Sequence, residues 1–276
     1  MIDAHHHLWT YGAAAYPWIR DDMAVLRRDF LVDDLRAAAS GSGITGFVTV
    51  QVRQTVEETE WLLDIADRHH EILGVVGWAP LAEPHVGGIL ERLAARPRLR
   101  GVRHILQDEP DDEHILREDF NRGVVALRAA GLTYDILIYE RHLPQTMRFV
   151  DRHPNQLFVL DHVAKPHIRA REIAPWREQI VELARREHVF CKVSGMVTEA
   201  DWRTWTAADL QPYVDIVLEA FGPERLMFGS DWPVLVLAAS YDEWVWTFRE
   251  TIRALSPDEQ AWITMRTARR AYGLGR

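Results

Sequence analysis

Cysteine is almost absent from this sequence. Cys191 is the only one among 276 residues, so no disulfide can form within the chain and a reducing compartment is allowed. Its place in the apolar run Val189-Phe190-Cys191-Lys192-Val193 marks a small core residue and not a nucleophile. Long apolar runs are missing as well. None approaches the roughly 20 residues a membrane-spanning helix needs, and no signal-like segment opens the chain, so the expectation is a cytoplasmic protein with no membrane partner. Positive charge is also scarce: 32 Lys and Arg stand against 41 Asp and Glu, a net charge of −9. No basic stripe exists to track phosphates, which argues against nucleic acid as a partner. No Gly-rich phosphate loop follows the first apolar segment, which disfavours an open dinucleotide-binding sheet. With no linker or low-complexity stretch either, residues 1–276 read as one domain.

What is present is a regular alternation. Eight apolar, strand-like runs occur at residues 1–5, 45–51, 73–78, 99–105, 133–139, 157–162, 189–194 and 226–230, most of them nearly continuous, as strands buried on both faces are. Amphipathic segments of helical length lie between them. The stretch 32–39 stops at Gly41 and Gly43, and Thr55-Val56-Glu57-Glu58 has the spacing of a capping box. Further helices are expected at 86–95, 113–130, 143–152, 174–186, 207–221, 240–254 and 257–272. Strand–helix alternation implies parallel strands with right-handed crossovers, and eight units fit a closed (β/α)₈ TIM barrel. The long connection from residue 8 to 31, with Trp9 and Tyr16-Pro17-Trp18, reads as a lid or binding loop after the first strand.

In such a barrel the C-terminal strand ends build the active site. Here they carry His5 and His7, Gln51, Trp78, Arg103-His104, Tyr139, Asp161-His162, Lys192 with Ser194, and Asp231. Strand alternation points His5 and His7 to one face and His6 to the other. It also allows only one of Arg103 and His104 to face inward, without saying which. Several of these residues have ordinary structural readings: Asp231 as the cap of the next segment, 161–166 as a plain strand exit, Lys192 as a buried partner of an acid. Eight strands all ending in groups that titrate, donate or stack exceed what core satisfaction needs. Trp9, Trp18 and Trp232 lie beside the presumed site.

The combination of Asp3-x-His5-x-His7, the strand end at His162 and Gly229-Ser230-Asp231-Trp232-Pro233 resembles the amidohydrolase superfamily. Within it, the resemblance is to the type 2 branch of lactonases and decarboxylases. The segments His5-His6-His7-Leu8-Trp9, Tyr16-Pro17-Trp18-Ile19, 99–109, 160–166, 191–202 and 226–234 are similar to the L-fuconolactonases of that branch. The resemblance implies a hydrolase opening a small-molecule sugar lactone, L-fuconolactone or a related aldonolactone. It implies Asp231 as the base that activates water, with His5, His7 and His162 around the scissile carbonyl. It also implies Arg103, His104 and Lys165 on lactone oxygens, and Gln51, Trp18, Trp232 and Lys192 complete the substrate-binding candidates. Such a ring opening needs an activated water, a grip on the carbonyl and a proton for the departing alkoxide; His162 and Lys165 are both candidates to supply that proton. His5, His7 and Asp231 make a three-ligand set for one divalent ion such as zinc. Without an ion, the two histidines and the cationic side chains hold the oxyanion. The two-metal members of the superfamily that this sequence resembles use a bridging lysine or acid and a further histidine; residues 134–139 offer no bridging lysine and Lys192 stands where that histidine would be, so a two-metal centre is not expected. A decarboxylase or polycarboxylate lactonase of the same branch would need more cations than Arg103, Lys165 and Lys192 to bind two carboxylates. A non-catalytic sugar-binding barrel would leave Asp231 dispensable.

Overall fold

A computed structural model describes residues 1–275. Eight strands form one sheet in chain order, each parallel to the next. They are β1 (Ile2–His6), β2 (Gly46–Val50), β3 (Ile72–Gly77), β4 (Leu99–Ile105), β5 (Thr133–Leu137), β6 (Phe158–Leu160), β7 (Val189–Val193) and β8 (Leu226–Phe228). The sheet closes where the chain beyond β8 returns to β1. Asp231 N–H donates to His5 O at 2.7 Å, and His7 N–H donates to Trp232 O at 2.7 Å. The result is the expected (β/α)₈ barrel.

Helices wrap the outside: α1 (Val32–Ala39), α2 (Val56–Arg68), α3 (Val86–Ala94), α4 (Glu118–Ala129), α5 (Leu143–Arg152), α6 (Trp176–Ala184), the single turn α7 (Met196–Glu199), α8 (Ala207–Phe221), α9 (Tyr241–Thr251), α10 (Pro257–Ala261) and α11 (Thr267–Tyr272). One apolar layer fills the space between strands and helices. A second, with Ile2, Ala4, Val48, Val76, Val159 and Met227, fills the lower barrel interior and is stoppered by Ala268, Ala271 and Tyr272 of α11. This apolar floor forces the polar groups of the barrel upward, toward the strand C-termini.

Several boundaries differ from expectation, each for a local reason. The strand predicted through residue 162 ends at Leu160, because His162, Val163, Ala164 and Lys165 all adopt positive φ, between 48° and 61°. The helix predicted from residue 113 begins at Glu118, after a 3₁₀ turn at His114–Leu116. Thr55 does cap α2, accepting from Glu58 N–H at 3.1 Å. The Glu58 carboxylate does not reach back to Thr55, however; it accepts from the backbone N–H groups of Val52 and Arg53 at 2.9 and 2.7 Å. It thereby ties down the loop that leaves β2. The connection after β1 is held by reciprocal backbone hydrogen bonds between Trp9 and Phe30 and contains a 3₁₀ segment at Asp21–Leu26. No helix among the described residues is long and apolar enough to cross a membrane.

Candidate active site

The first strand departs from simple alternation. Its register to β2 shifts between Asp3 and His6, so Ala4 packs in the barrel floor and His5 also reaches the interior. From there alternation resumes: His6 turns outward to Thr49 and Phe47, and His7 turns inward.

Four side chains converge at the top of the barrel. His5 Nε2 and His7 Nε2 are 3.2 Å apart. Asp231 Oδ1 lies 3.3 Å from His7 Nε2, 3.8 Å from His5 Nε2 and 3.9 Å from His162 Nε2. Each ring is oriented from behind. His7 Nδ1 donates to Val50 O at 2.8 Å, which leaves its Nε2 with a lone pair toward the centre. His162 Nδ1 lies 2.9 Å from Ser194 Oγ. His5 Nδ1 faces Asp161 Oδ1 at 3.3 Å and Lys192 Nζ at 3.1 Å.

Protonation follows from burial and neighbours. Burial drives the His5 imidazole well below its ordinary value and brings His162 down to about 4, so both rings are neutral near pH 7. Burial alone would raise Asp231, but His162, His7 and Lys165 hold its carboxyl below the usual carboxylate range. The centre is therefore one carboxylate facing the neutral rings of His5 and His162, with His7 Nε2 beside it. Asp231 itself adopts φ +59°, a left-handed conformation that Asp tolerates better than most residues. Its backbone N–H is spent on barrel closure, and this aims the carboxylate inward.

Under the centre lies a buried charged layer. Lys192 Nζ donates to Asp135 Oδ2 at 2.6 Å and Asp161 Oδ1 at 2.9 Å; Tyr272 OH donates to Asp135 Oδ2 at 2.6 Å. Arg103 Nη1 donates to Asp161 Oδ2 at 3.0 Å and lies 3.3 Å from His5 Nε2. Its Nη2 donates to Gln51 Oε1 at 3.0 Å and also to the Gln51 carbonyl. Burial alone would raise Asp161, yet Lys192, His5 and Arg103 hold it well below its usual value. Two cations thus balance two carboxylates, the condition under which buried charge is tolerated.

Above the centre a cavity of about 500 Å³ opens. His7, Arg103, His162 and Asp231 reach it from the strand ends, and Trp18, Arg20, Tyr139, Lys165, Glu199 and Trp202 form its walls, with Asp108 on one side. Of the candidates read from the sequence, His7, His162, Asp231, Arg103, Lys165 and Trp18 are brought together here, and His5, fully buried, adjoins His7 and His162. Four others are not on the wall. Gln51 and Lys192 are fully buried beneath it, engaged by Arg103 and by the acids. Trp232 is buried against Phe30.

His104 is on the outer face of β4. Its Nδ1 accepts from Trp78 Nε1–H at 3.3 Å, so its Nε2 carries the hydrogen and donates to Glu109 at 2.6 Å. The alternation question is answered: Arg103 is in and His104 is out. That same tautomer leaves no lone pair on His104 Nε2, so His104, Glu109 and His114, though clustered, do not form a metal site. Asp108 and Glu199 were not singled out by sequence reasoning. Both are ordinary surface residue types at the ends of short helical turns, and only the fold brings them to the cavity.

His5, His162 and Asp231 offer ligand atoms within 4.8 Å of one another, and His7 Nε2 stands beside two of them, His5 and Asp231. Four-coordinate bonds of about 2.0–2.1 Å place donors roughly 3.3 Å apart, close to the 3.2 and 3.3 Å that separate His7 from His5 and Asp231. The residues fit one divalent ion. Among the described residues no other such donor group lines the cavity.

The model of the amidohydrolase family matches residues 2–274. The chain belongs to the amidohydrolase family, and it is an enzyme. An L-fucono-1,5-lactonase of Burkholderia multivorans is 43% identical, covering 99% of this chain and 96% of its own length. An L-fucono-1,5-lactonase of Burkholderia ambifaria is 37% identical over 94% of this chain and 91% of its own. A crystal structure of an amidohydrolase from Burkholderia multivorans with bound zinc superposes with a TM-score of 0.94 at 44% identity, with 99% of each chain covered.

Proposed function

We propose that this amidohydrolase opens the ester of a neutral sugar lactone, L-fucono-1,5-lactone or a related aldonolactone, to the hydroxy acid. The observation that carries the reading is the Asp231 carboxylate, kept ionised beside three imidazole nitrogens 3.3–3.9 Å away at the floor of a sugar-sized cavity. The 43%-identical lactonase, similar over nearly the whole chain, supports it.

In this reading Asp231 takes a proton from a water set between it and the lactone carbonyl. The hydroxide adds to the carbonyl carbon, and the oxyanion that forms is held by Arg103, a donor already fixed in place. When the ring C–O bond breaks, Asp231 returns its proton to the leaving alkoxide. The new carboxylic acid then releases a proton to solvent. His5, His7, His162 and Asp231 would hold one divalent ion, which when bound lends further Lewis acidity toward the carbonyl or water. Arg103 supplies fixed positive charge in either state.

The cavity charges favour a neutral substrate over a polycarboxylate. Arg20, Arg103 and Lys165 are matched by Asp108, Glu199 and Asp231, and Arg103 is already engaged by Asp161. Trp18 and Trp202 on the cavity wall are suited to contact a sugar ring. Proton release over a panel of aldonolactones, with metal-stripped and zinc-loaded protein, tests the assignment. Turnover of L-fucono- or L-galactonolactone is expected; silence across the panel, with turnover of a carboxylated lactone instead, would overturn it.

A further inference from the structure

Glu199 closes the short turn α7 and faces the cavity beside Thr198 and Trp202. Its Oε1 is 3.9 Å from Lys165 Nζ, too far for a direct hydrogen bond. Among the described residues neither the Glu199 carboxylate nor the Lys165 ammonium hydrogen-bonds any other group, although Lys165 lies over the Tyr139 ring at 5.4 Å. Opposite charges this close on a pocket wall ordinarily collapse together. Here the two head groups stand 3.9 Å apart on the cavity wall. The gap suits an oxygen that both donates and accepts. An atom about 2.8 Å from both partners would see them roughly 90° apart, an angle that suits a hydroxyl oxygen donating one hydrogen bond and accepting another. A carboxylate has no hydrogen to donate and would face Glu199 with like charge.

We infer that Glu199 is a specificity-determining residue which, with Lys165, seats one hydroxyl of the substrate ring, donating to Glu199 and accepting from Lys165, and turns away carboxylated ligands. This rests on the sugar-lactone reading above and adds the group that recognises the sugar. A charge-assisted hydrogen bond of this kind is worth about tenfold or more in affinity. Because the pair is assigned to binding a ring hydroxyl and not to the reacting carbonyl, the loss should appear in KM more than in kcat.

The test uses 1,5-anhydro-L-fucitol, which has no carbonyl to hydrolyse, and its monodeoxy forms, titrated calorimetrically into wild type, Glu199→Gln and Lys165→Met. Expected is roughly tenfold weaker binding by Glu199→Gln and a matching loss in wild type when one hydroxyl, at one ring position only, is removed. That hydroxyl should make no difference to the variant. Lactone kinetics of Glu199→Gln should show a raised KM with kcat within about threefold, and citrate, inert against wild type, should compete in the variant. Unchanged binding of every ligand by both variants would overturn the inference, as would a fall in kcat with KM unmoved. Failure of the underlying reading would show separately, as wild-type protein releasing no protons from any aldonolactone.

Discussion

Asp3 and Ser230 stand 227 positions apart and are joined twice: Ser230 N–H donates to Asp3 Oδ1 at 2.8 Å, and Ser230 Oγ–H donates to Asp3 Oδ2 at 2.6 Å. Tyr241 OH donates to Oδ2 at 2.8 Å, and His5 N–H to Oδ1 at 3.1 Å. One buried carboxylate thus fastens the last strand to the first, next to both His5 and Asp231. Asp3→Ala would leave four donors without an acceptor in a dry site, at a cost of about 3–5 kcal/mol. Urea unfolding should show that loss, with Asp3→Asn retaining more stability than Asp3→Ala. Equal stability of Asp3→Ala and wild type would mean that the clasp is ornamental.

Gly195 is the second control point. It sits at φ 62°, and a Cβ there would meet His162 Nδ1 at 2.6 Å, the atom that contacts Ser194. Gly195→Ala should therefore combine backbone strain of about 1–2 kcal/mol with displacement of the His162 ring. Lactone turnover should fall by about 10²-fold, the cost of a misplaced reacting geometry, while the far-ultraviolet circular dichroism keeps its native shape.

Lys192 is expected to act through structure and not through substrate. Lys192→Met would bury Asp135 and Asp161 with only Arg103 to balance them. Thermal unfolding should reveal a loss of about 3–5 kcal/mol. A variant as stable as wild type, with only KM changed, would return Lys192 to the substrate wall.

Glu58 gives the fold a pH dependence. Burial pushes its carboxyl up to about 7 from 4.5, against the hydrogen bonds from Arg53 and Val52. The folded value lies above the unfolded one. Its contribution to stability is therefore present below pH ~4.3 and is lost as pH rises through about 7. Glu58→Gln keeps an oxygen acceptor for the two N–H groups but cannot ionise. Relative to wild type, the variant should gain stability between pH 5 and 8, by up to about 3 kcal/mol, in denaturant titrations across that range. A constant difference over the range would contradict a raised value.

Much of this is legible in the sequence. Eight apolar runs and the helical segments between them specify a barrel, and a barrel places strand ends together, so His5 and His7, His162 and Asp231 could be gathered from three distant places. What could not be read is what depends on facing and on strain. Arg103 and His104 are equally polar neighbours; only the outer contacts with Trp78 and Glu109 decide which one turns away. Gln51 and Lys192 end strands as the site residues do, but long-range partners, Arg103 and the two acids, draw them beneath the cavity. The four left-handed residues 162–165 include Val163, a β-branched residue that no propensity would place there. Glu199 became visible only once α7 was folded over the barrel mouth.

The central claim is that Asp231 is the base. The measurement that addresses it most directly is the kcat of Asp231→Asn on L-fuconolactone, followed by proton release beside wild type under the same metal conditions, with thermal unfolding run in parallel. The expected result is a fall of roughly 10²–10⁴-fold with the unfolding temperature nearly unchanged. Turnover within a few-fold of wild type would show that another group takes the proton from water.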